Sequence, residues 1–222
     1  MPSATFGQRV QLVFSIIRIS CFKCWQRIRC HHPEFEVKDS FEILCLGLSQ
    51  AGKSSVLSAL VGEDVNDSEP TTGFNIKNLL LQDINVNLKE LGGGDSVRPF
   101  WNRYFNGVDG LIYVINGSAE EQLLASSCQE LKTVLNAHAS MNSLPCLVLF
   151  THQDSSNIRD SKQLMEILKK AGLTNKNKKH WIMHLCSVHE PETVKEGLDL
   201  LLKLIKLCNR KRIATDESFL SE

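Results

Sequence analysis

The sequence predicts a doubly wound α/β domain: a mostly parallel sheet with helices on both faces and one antiparallel hairpin at its edge. Three observations predict it. From Phe41 onward, short apolar runs alternate with longer amphipathic segments, the pattern of strands joined through helical crossovers. The first apolar run, Glu42 to Leu46, opens directly onto Gly47-Leu-Ser-Gln-Ala-Gly52-Lys53-Ser54, a full G-x-x-x-x-G-K-[ST] match that leads into a helical stretch. The second and third strand-like runs, FNIKNLLL and INVNLKEL, adjoin through a turn near Gln82 and Asp83 that is too short for a crossover, so they pair antiparallel.

In chain order, FEILCLG is a strand, VLSALVG lies in the helix after the glycine loop, and the hairpin follows. GLIYVI, PCLVLF and HWIMHLC are further buried strands, separated by helical segments at 119–138 and 161–171 and followed by a last one at 191–208. The domain therefore spans 41–208. Residues 1–40 form a separate arm, and 209–222 lack apolar periodicity and read as a flexible tail.

Apolar residues make up 42% and charged residues 23%, as in an ordinary globular protein, and a domain of this size needs no disulfides to stay folded. Lys plus Arg balance Asp plus Glu at 25 each, so no global charge points to nucleic acid. Cys45 and Cys146 fall inside apolar strands, and no signal-peptide cleavage pattern is present, so a reducing, cytoplasmic compartment and a monomeric chain are expected. The apolar stretch Val10–Trp25 contains Arg18 and Lys23 and falls short of the roughly 20 residues needed to span a bilayer.

The glycine motif carries the chemistry. A triphosphate is strongly anionic, and the backbone amides of a glycine-rich nest at a helix N-terminus present positive dipoles to it. Gly47 and Gly52 permit close approach, with the amides of Ser49, Gln50, Ala51 and Ser55 around the same loop. Lys53 would reach the outer phosphates, and the Ser54 hydroxyl would ligate a bridging magnesium ion. A phosphate loop alone does not separate GTPases from ATPases or kinases.

The segments GLSQAGKSS, PTTGFNIK, ELGGGDSVRPFWNRYF and GLIYVINGS, in this order, resemble the small GTPases of the ADP-ribosylation-factor-like family, over about residues 40–208. The resemblance implies a P-loop NTPase of the small GTPase fold, with GTP or GDP and Mg2+ as ligands. It implies that Thr71 supplies a second magnesium ligand from the first switch and that the Gly93 amide binds the γ-phosphate from the second. Glu90 stands where the family has an aspartate acting on magnesium through water. Gly94 stands where a glutamine orients the attacking water, so hydrolysis is expected to be slow. Thr151-His152-Gln153-Asp154 replaces the usual N-K-x-D base motif. Asp154 would accept from guanine, His152 would stack on the base, and Thr151 loses a bracing amide. Cys186 and Ser187 match the last base-contacting loop through their backbone.

The resemblance also implies an amphipathic N-terminal helix. Pro2 excludes N-myristoylation, whereas VQLVFSIIRISCFKCWQRIRC has a broad apolar face with basic flanks, suited to a membrane interface. Cys21, Cys24 and Cys30 are candidate palmitoylation sites. Two other readings stay open for the arm: packing on the domain itself, and a zinc site made of these cysteines with His31 and His32. Trp101, Tyr104 and Phe105 read either as an effector-facing cluster or as core.

The expectation is a nucleotide switch on a Golgi or endosomal membrane, meeting effector, exchange-factor and activating proteins through its switch loops. Its rivals are a nucleotide-independent scaffold and a P-loop ATPase or kinase.

Overall fold

The computed structural model describes residues 39–65, 71, 73–81, 83–137, 141, 143–155, 157–173 and 180–219, with side chains to 210. The N-terminal arm, with Cys21, Cys24 and Cys30, lies outside the described residues. Among the described residues no helix is long and apolar enough to cross a membrane.

The strands are β1 (Asp39–Leu46), β2 (Phe74–Leu81), β3 (Ile84–Leu91), β4 (Gly110–Asn116), β5 (Cys146–Thr151) and β6 (Trp181–Leu185). They form a six-stranded sheet in the order β2-β3-β1-β4-β5-β6. All neighbours are parallel except β2 and β3, which form the expected edge hairpin with Leu81 opposite Ile84. Burial follows from position. Central β1 buries Ile43, Leu44, Cys45 and Leu46 completely, the continuous apolar run of a strand covered on both faces. Edge strand β2 alternates exposed Phe74, Ile76 and Leu80 with half-buried positions between them.

The helices are α1 (Lys53–Val61), α2 (Glu121–Ala137), α3 (Ser161–Lys170) and α4 (Pro191–Phe219), with a 3-10 helix at Arg98–Tyr104. Two apolar cores sit on opposite faces of the sheet. One joins α2, α3 and the 3-10 helix through Leu131, Leu135, Leu164, Leu168 and Trp101. The other joins α1 and α4 through Val56, Leu57, Leu198, Leu201 and Ile205. The start of α3 is fixed by a capping box, in which Asp160 accepts from the Gln163 amide and the Gln163 side chain accepts from the Asp160 amide. Helix α4 runs on to Phe219, into the segment expected to be a tail; no Gly or Pro interrupts residues 209–219, so propensity sustains the helix after the apolar period of the sequence stops.

The fold fixes where chemistry can occur. The sheet runs outward from β1 in both directions, to β3 and to β4, and ligands in such sheets bind at that reversal, beyond the carboxyl ends of the strands. Register brings the relevant residues there: Cys45 lies beside Glu90, and Asn116 beside Thr151.

Candidate functional site

The glycine loop leaves β1 and turns back into α1. Gly47 has φ 150°, and a Cβ there would stand 2.3 Å from the Val114 carbonyl oxygen, so the loop can pass β4 only as glycine. Gln50 at φ 60° and Gly52 at φ 87° complete the nest, and Lys53 begins the helix. A cleft of about 340 Å3 opens above the loop, lined by Ser49, Gln50, Gly52, Lys53, Ser54 and Ser55. Thr71, Glu90, Gly93 and His152 close its other sides. Of the predicted phosphate-binding set, Gly47 and Ala51 do not line this cleft; Gly47 faces β4, and Ala51 is buried with its carbonyl turned toward Thr151.

Lys53 is 6% exposed and its ammonium donates to the Leu48 carbonyl at 2.9 Å, holding the side chain along the loop. Burial lowers its pKa, and the charge of Glu90 works against that shift. A polyanion in the cleft is the counter-charge this buried cation requires.

Three residues from three elements meet beside it. Ser54 Oγ donates to Glu90 Oε1 at 2.6 Å, Thr71 Oγ1 lies 3.2 Å from the same oxygen, and the two hydroxyl oxygens are 3.0 Å apart. Glu90 is fully buried, and its other oxygen, Oε2, has no hydrogen-bond partner among the described residues. Two hydroxyls and a carboxylate are hard oxygen donors of the kind that magnesium selects, and an orphaned buried carboxylate oxygen is an acceptor that a hydrated cation would satisfy. The residues present therefore fit a magnesium ion, with Ser54, Thr71 and Glu90 as its holders.

The two expected switch segments touch both the phosphate loop and each other. At Gly93 a Cβ would lie 2.3 Å from the Gly47 oxygen, 2.4 Å from the Leu48 carbonyl carbon and 2.5 Å from the Ser49 nitrogen. At Gly92 it would meet the Thr71 oxygen at 2.4 Å, and the Gly92 amide donates to the Gly73 carbonyl at 2.8 Å. The Trp101 indole donates to the Gly92 carbonyl at 3.0 Å, a latch that the sequence did not announce. Trp101 and Phe105 belong to the core, whereas Tyr104 stands partly exposed, 6.4 Å from the ring of Phe74. Gly94 is different: the nearest atoms to a Cβ there are the Ser49 and Ser96 hydroxyls, at 3.9 and 4.0 Å.

The base-recognition residues cluster at the ends of β5 and β6. Thr151 is buried, and its hydroxyl donates to the Ala51 carbonyl at 2.8 Å, with His152 Nδ1 also at 2.8 Å. The bracing expected to be lost with an amide is thus retained by a hydroxyl. His152 takes φ 60°, which swings its ring to within 3.4 Å of a Cβ built on Gly52. Asp154 Oδ1 accepts from the Ser187 hydroxyl at 2.7 Å, and that bond, followed by a backbone amide and the nearby His189 and His152, holds its pKa below the usual carboxylate value. The amides of Cys186 and Ser187 donate to the Phe150 carbonyl and to Thr193 Oγ1, and the Ser187 hydroxyl joins this cluster through Asp154. Burial raises the Cys186 thiol to about 12, which leaves it a neutral packing group. Arg159 braces the loop after β4 by donating to the Gly117 and Ala119 carbonyls at 3.0 and 2.7 Å.

The model of the ADP-ribosylation factor family matches residues 30–205, most of the chain and all of this site. The chain belongs to the ADP-ribosylation factor family. Among curated members it is 32% identical to mouse ADP-ribosylation factor-like protein 15 over 185 residues, covering 83% of this chain and 89% of that protein. It is 31% identical to the human protein of that name over the same shares. ADP-ribosylation factor-like protein 3 of Chlamydomonas reinhardtii is 37% identical over 164 residues, 74% of this chain and 90% of that one. Among solved structures, the Arl6 BBS3 small GTPase of Trypanosoma brucei with bound nucleotide analogue GppNp superposes with a TM-score of 0.63 at 18% identity, over 75% of this chain and 98% of that chain. The fold is thus that of the family's small GTPases, consistent with a GTP-binding switch.

Proposed function

We propose that the chain is a GTP- and GDP-binding switch that uses Mg2+, acts at a membrane surface in trafficking or signalling, and hydrolyses GTP slowly. The observation that carries this reading is the meeting of Thr71 and Gly93, from two separate loops, on the backbone and hydroxyl of the same phosphate loop. Contacts made to one phosphoryl group by two loops are the physical basis of a switch: the loops are held while it is present and released when it leaves.

Lys53 would set its charge against the outer phosphates, and Asp154 would accept from the N1–H and exocyclic amine of guanine, a donor pair that adenine does not offer. His152 would stack on the base. Ser54, Thr71 and Glu90 would hold a Mg2+ ion, which would supply positive charge against the phosphates. Gly94 has no side chain with which to orient a water, which supports slow hydrolysis.

Exposed Phe74, Ile76, Phe100 and Tyr104 lie at or beside a surface groove of about 350 Å3 next to both switch segments, a surface suited to an effector protein. Membrane attachment is proposed through residues 1–40, with Cys21, Cys24 and Cys30 as palmitoylation sites and a Golgi or endosomal membrane as the location; the basic, apolar character of that segment supports this. A scaffold that no longer switches is the second reading. It is favoured by Glu90, which ties Thr71 to Ser54 through protein atoms alone.

Titration of the purified chain with labelled GTP, GDP and ATP in magnesium separates the readings. Micromolar or tighter binding of guanine nucleotides only is expected. Comparable ATP binding would support an ATPase, and no nucleotide binding would support the scaffold.

A further inference from the structure

We infer that Glu90 ligates the divalent cation directly, where a shorter aspartate would act through an intervening water. The inference rests on the nucleotide-binding reading above and concerns the coordination chemistry of that site. Glu90 Oε1, Ser54 Oγ and Thr71 Oγ1 form a triangle with edges of 2.6, 3.2 and 3.0 Å. The face of an octahedron has an edge √2 times its metal–oxygen distance, about 2.9 Å for magnesium bonds of about 2.0–2.1 Å. Every edge of the observed triangle lies close to that value, so one cation can touch all three oxygens without displacement of the helix, loop and strand that carry them.

Those spacings also suit hydrogen bonds from the two hydroxyls to the carboxylate, and two further features favour ligation. Glutamate carries its carboxyl farther from the backbone than aspartate by one C–C bond, roughly 1.5 Å. Position 90 is fixed beside Cys45 by the β1–β3 register, so the added length is directed into the site that Glu90 lines. The second feature is the imbalance within the carboxylate: Oε1 serves both hydroxyls, while Oε2 is buried and has no partner among the described residues. With Oε1 on the cation, a water coordinated to that cation can donate to Oε2, which no described residue satisfies. Glu90 then contributes a full negative charge to the inner coordination shell.

The test uses the full chain loaded with a non-hydrolysable GTP analogue and Mn2+, read by electron paramagnetic resonance in 17O-enriched water, for the wild type and for Glu90→Asp. The wild type is expected to hold one coordinated water fewer than Glu90→Asp; equal counts would overturn the inference. Should Glu90→Asp fail to fold, wild-type chain labelled with 13C at its glutamate carboxyl carbons answers the same question. Dipolar coupling falls with the cube of distance, so direct ligation gives a manganese–carbon coupling several-fold larger than an outer-shell carboxylate does, and a small coupling refutes it. Retained analogue without bound Mn2+ would overturn this inference alone. Loss of both would overturn the nucleotide-binding reading as well.

Discussion

Replacing Gly93 by alanine tests whether the second switch segment bears directly on the phosphate loop. The added methyl would stand 2.3 Å from the Gly47 oxygen, 2.4 Å from the Leu48 carbonyl carbon and 2.5 Å from the Ser49 nitrogen, whereas ordinary contact begins near 3.4 Å. All three are backbone atoms, so no rotamer change relieves the overlap, and the segment must lift by about 1 Å. Overpacking of this kind costs about 1–3 kcal/mol, or about 5- to 150-fold in an equilibrium constant. The loss should fall on the triphosphate, because the Gly93 amide is the group proposed to meet the γ-phosphate. The assay is the ratio of affinities for a non-hydrolysable GTP analogue and GDP, with Gly94→Ala as control, since a Cβ at 94 has open space to 3.9 Å. A Gly93→Ala ratio equal to that of the control would refute the reasoning.

Gly94→Gln should raise single-turnover GTP hydrolysis, because the space beside Ser49 admits the side chain; an unchanged rate would show that something other than the missing amide is limiting. Thr151→Val removes the buried donor to the Ala51 carbonyl and should lower stability by about 2 kcal/mol in denaturant unfolding; a difference too small to measure would show that the hydroxyl does not brace the loop. The Ser187 bond depresses the Asp154 pKa below its ordinary value of 3.8, so its contribution to stability is complete above that value and is lost as pH falls through the depressed one. The Asp154 carboxylate therefore stays ionised at pH 5, and a Ser187→Ala variant should lose stability relative to wild type equally at pH 7 and pH 5, measured by thermal unfolding.

What the sequence makes legible is local. The phosphate loop is a run of consecutive residues, and the strand before it and the helix after it are adjacent in the chain, so the order Gly47 to Ser54 carries its own geometry. The edge hairpin is equally visible, because a turn at Gln82 and Asp83 leaves no room for a crossover. Thr151 is harder to read. Its acceptor on Ala51 lies 100 positions away, and only the paired ends of β4 and β5 against the phosphate loop show that a hydroxyl can replace the amide brace. Ser187 is legible as a loop position, yet its hydroxyl bond to Asp154 depends on how two strand ends face each other. The direct reach of Glu90 to Ser54 and Thr71 likewise depends on strand register, which side-chain length alone does not specify. The end of α4 escapes the sequence pattern for a different reason: helix propensity continues after the apolar period stops.

The hydrogen bond from Trp101 to the Gly92 carbonyl has a practical consequence. An indole enclosed in apolar packing, with its N–H fastened to the main chain of a switch, emits at a wavelength set by that enclosure. Withdrawal of the glycine segment, as the proposed switch requires, would wet the ring and move its emission to the red. The molecule thus carries a native fluorophore on the segment proposed to switch, and stopped-flow optics could follow such a movement without any label.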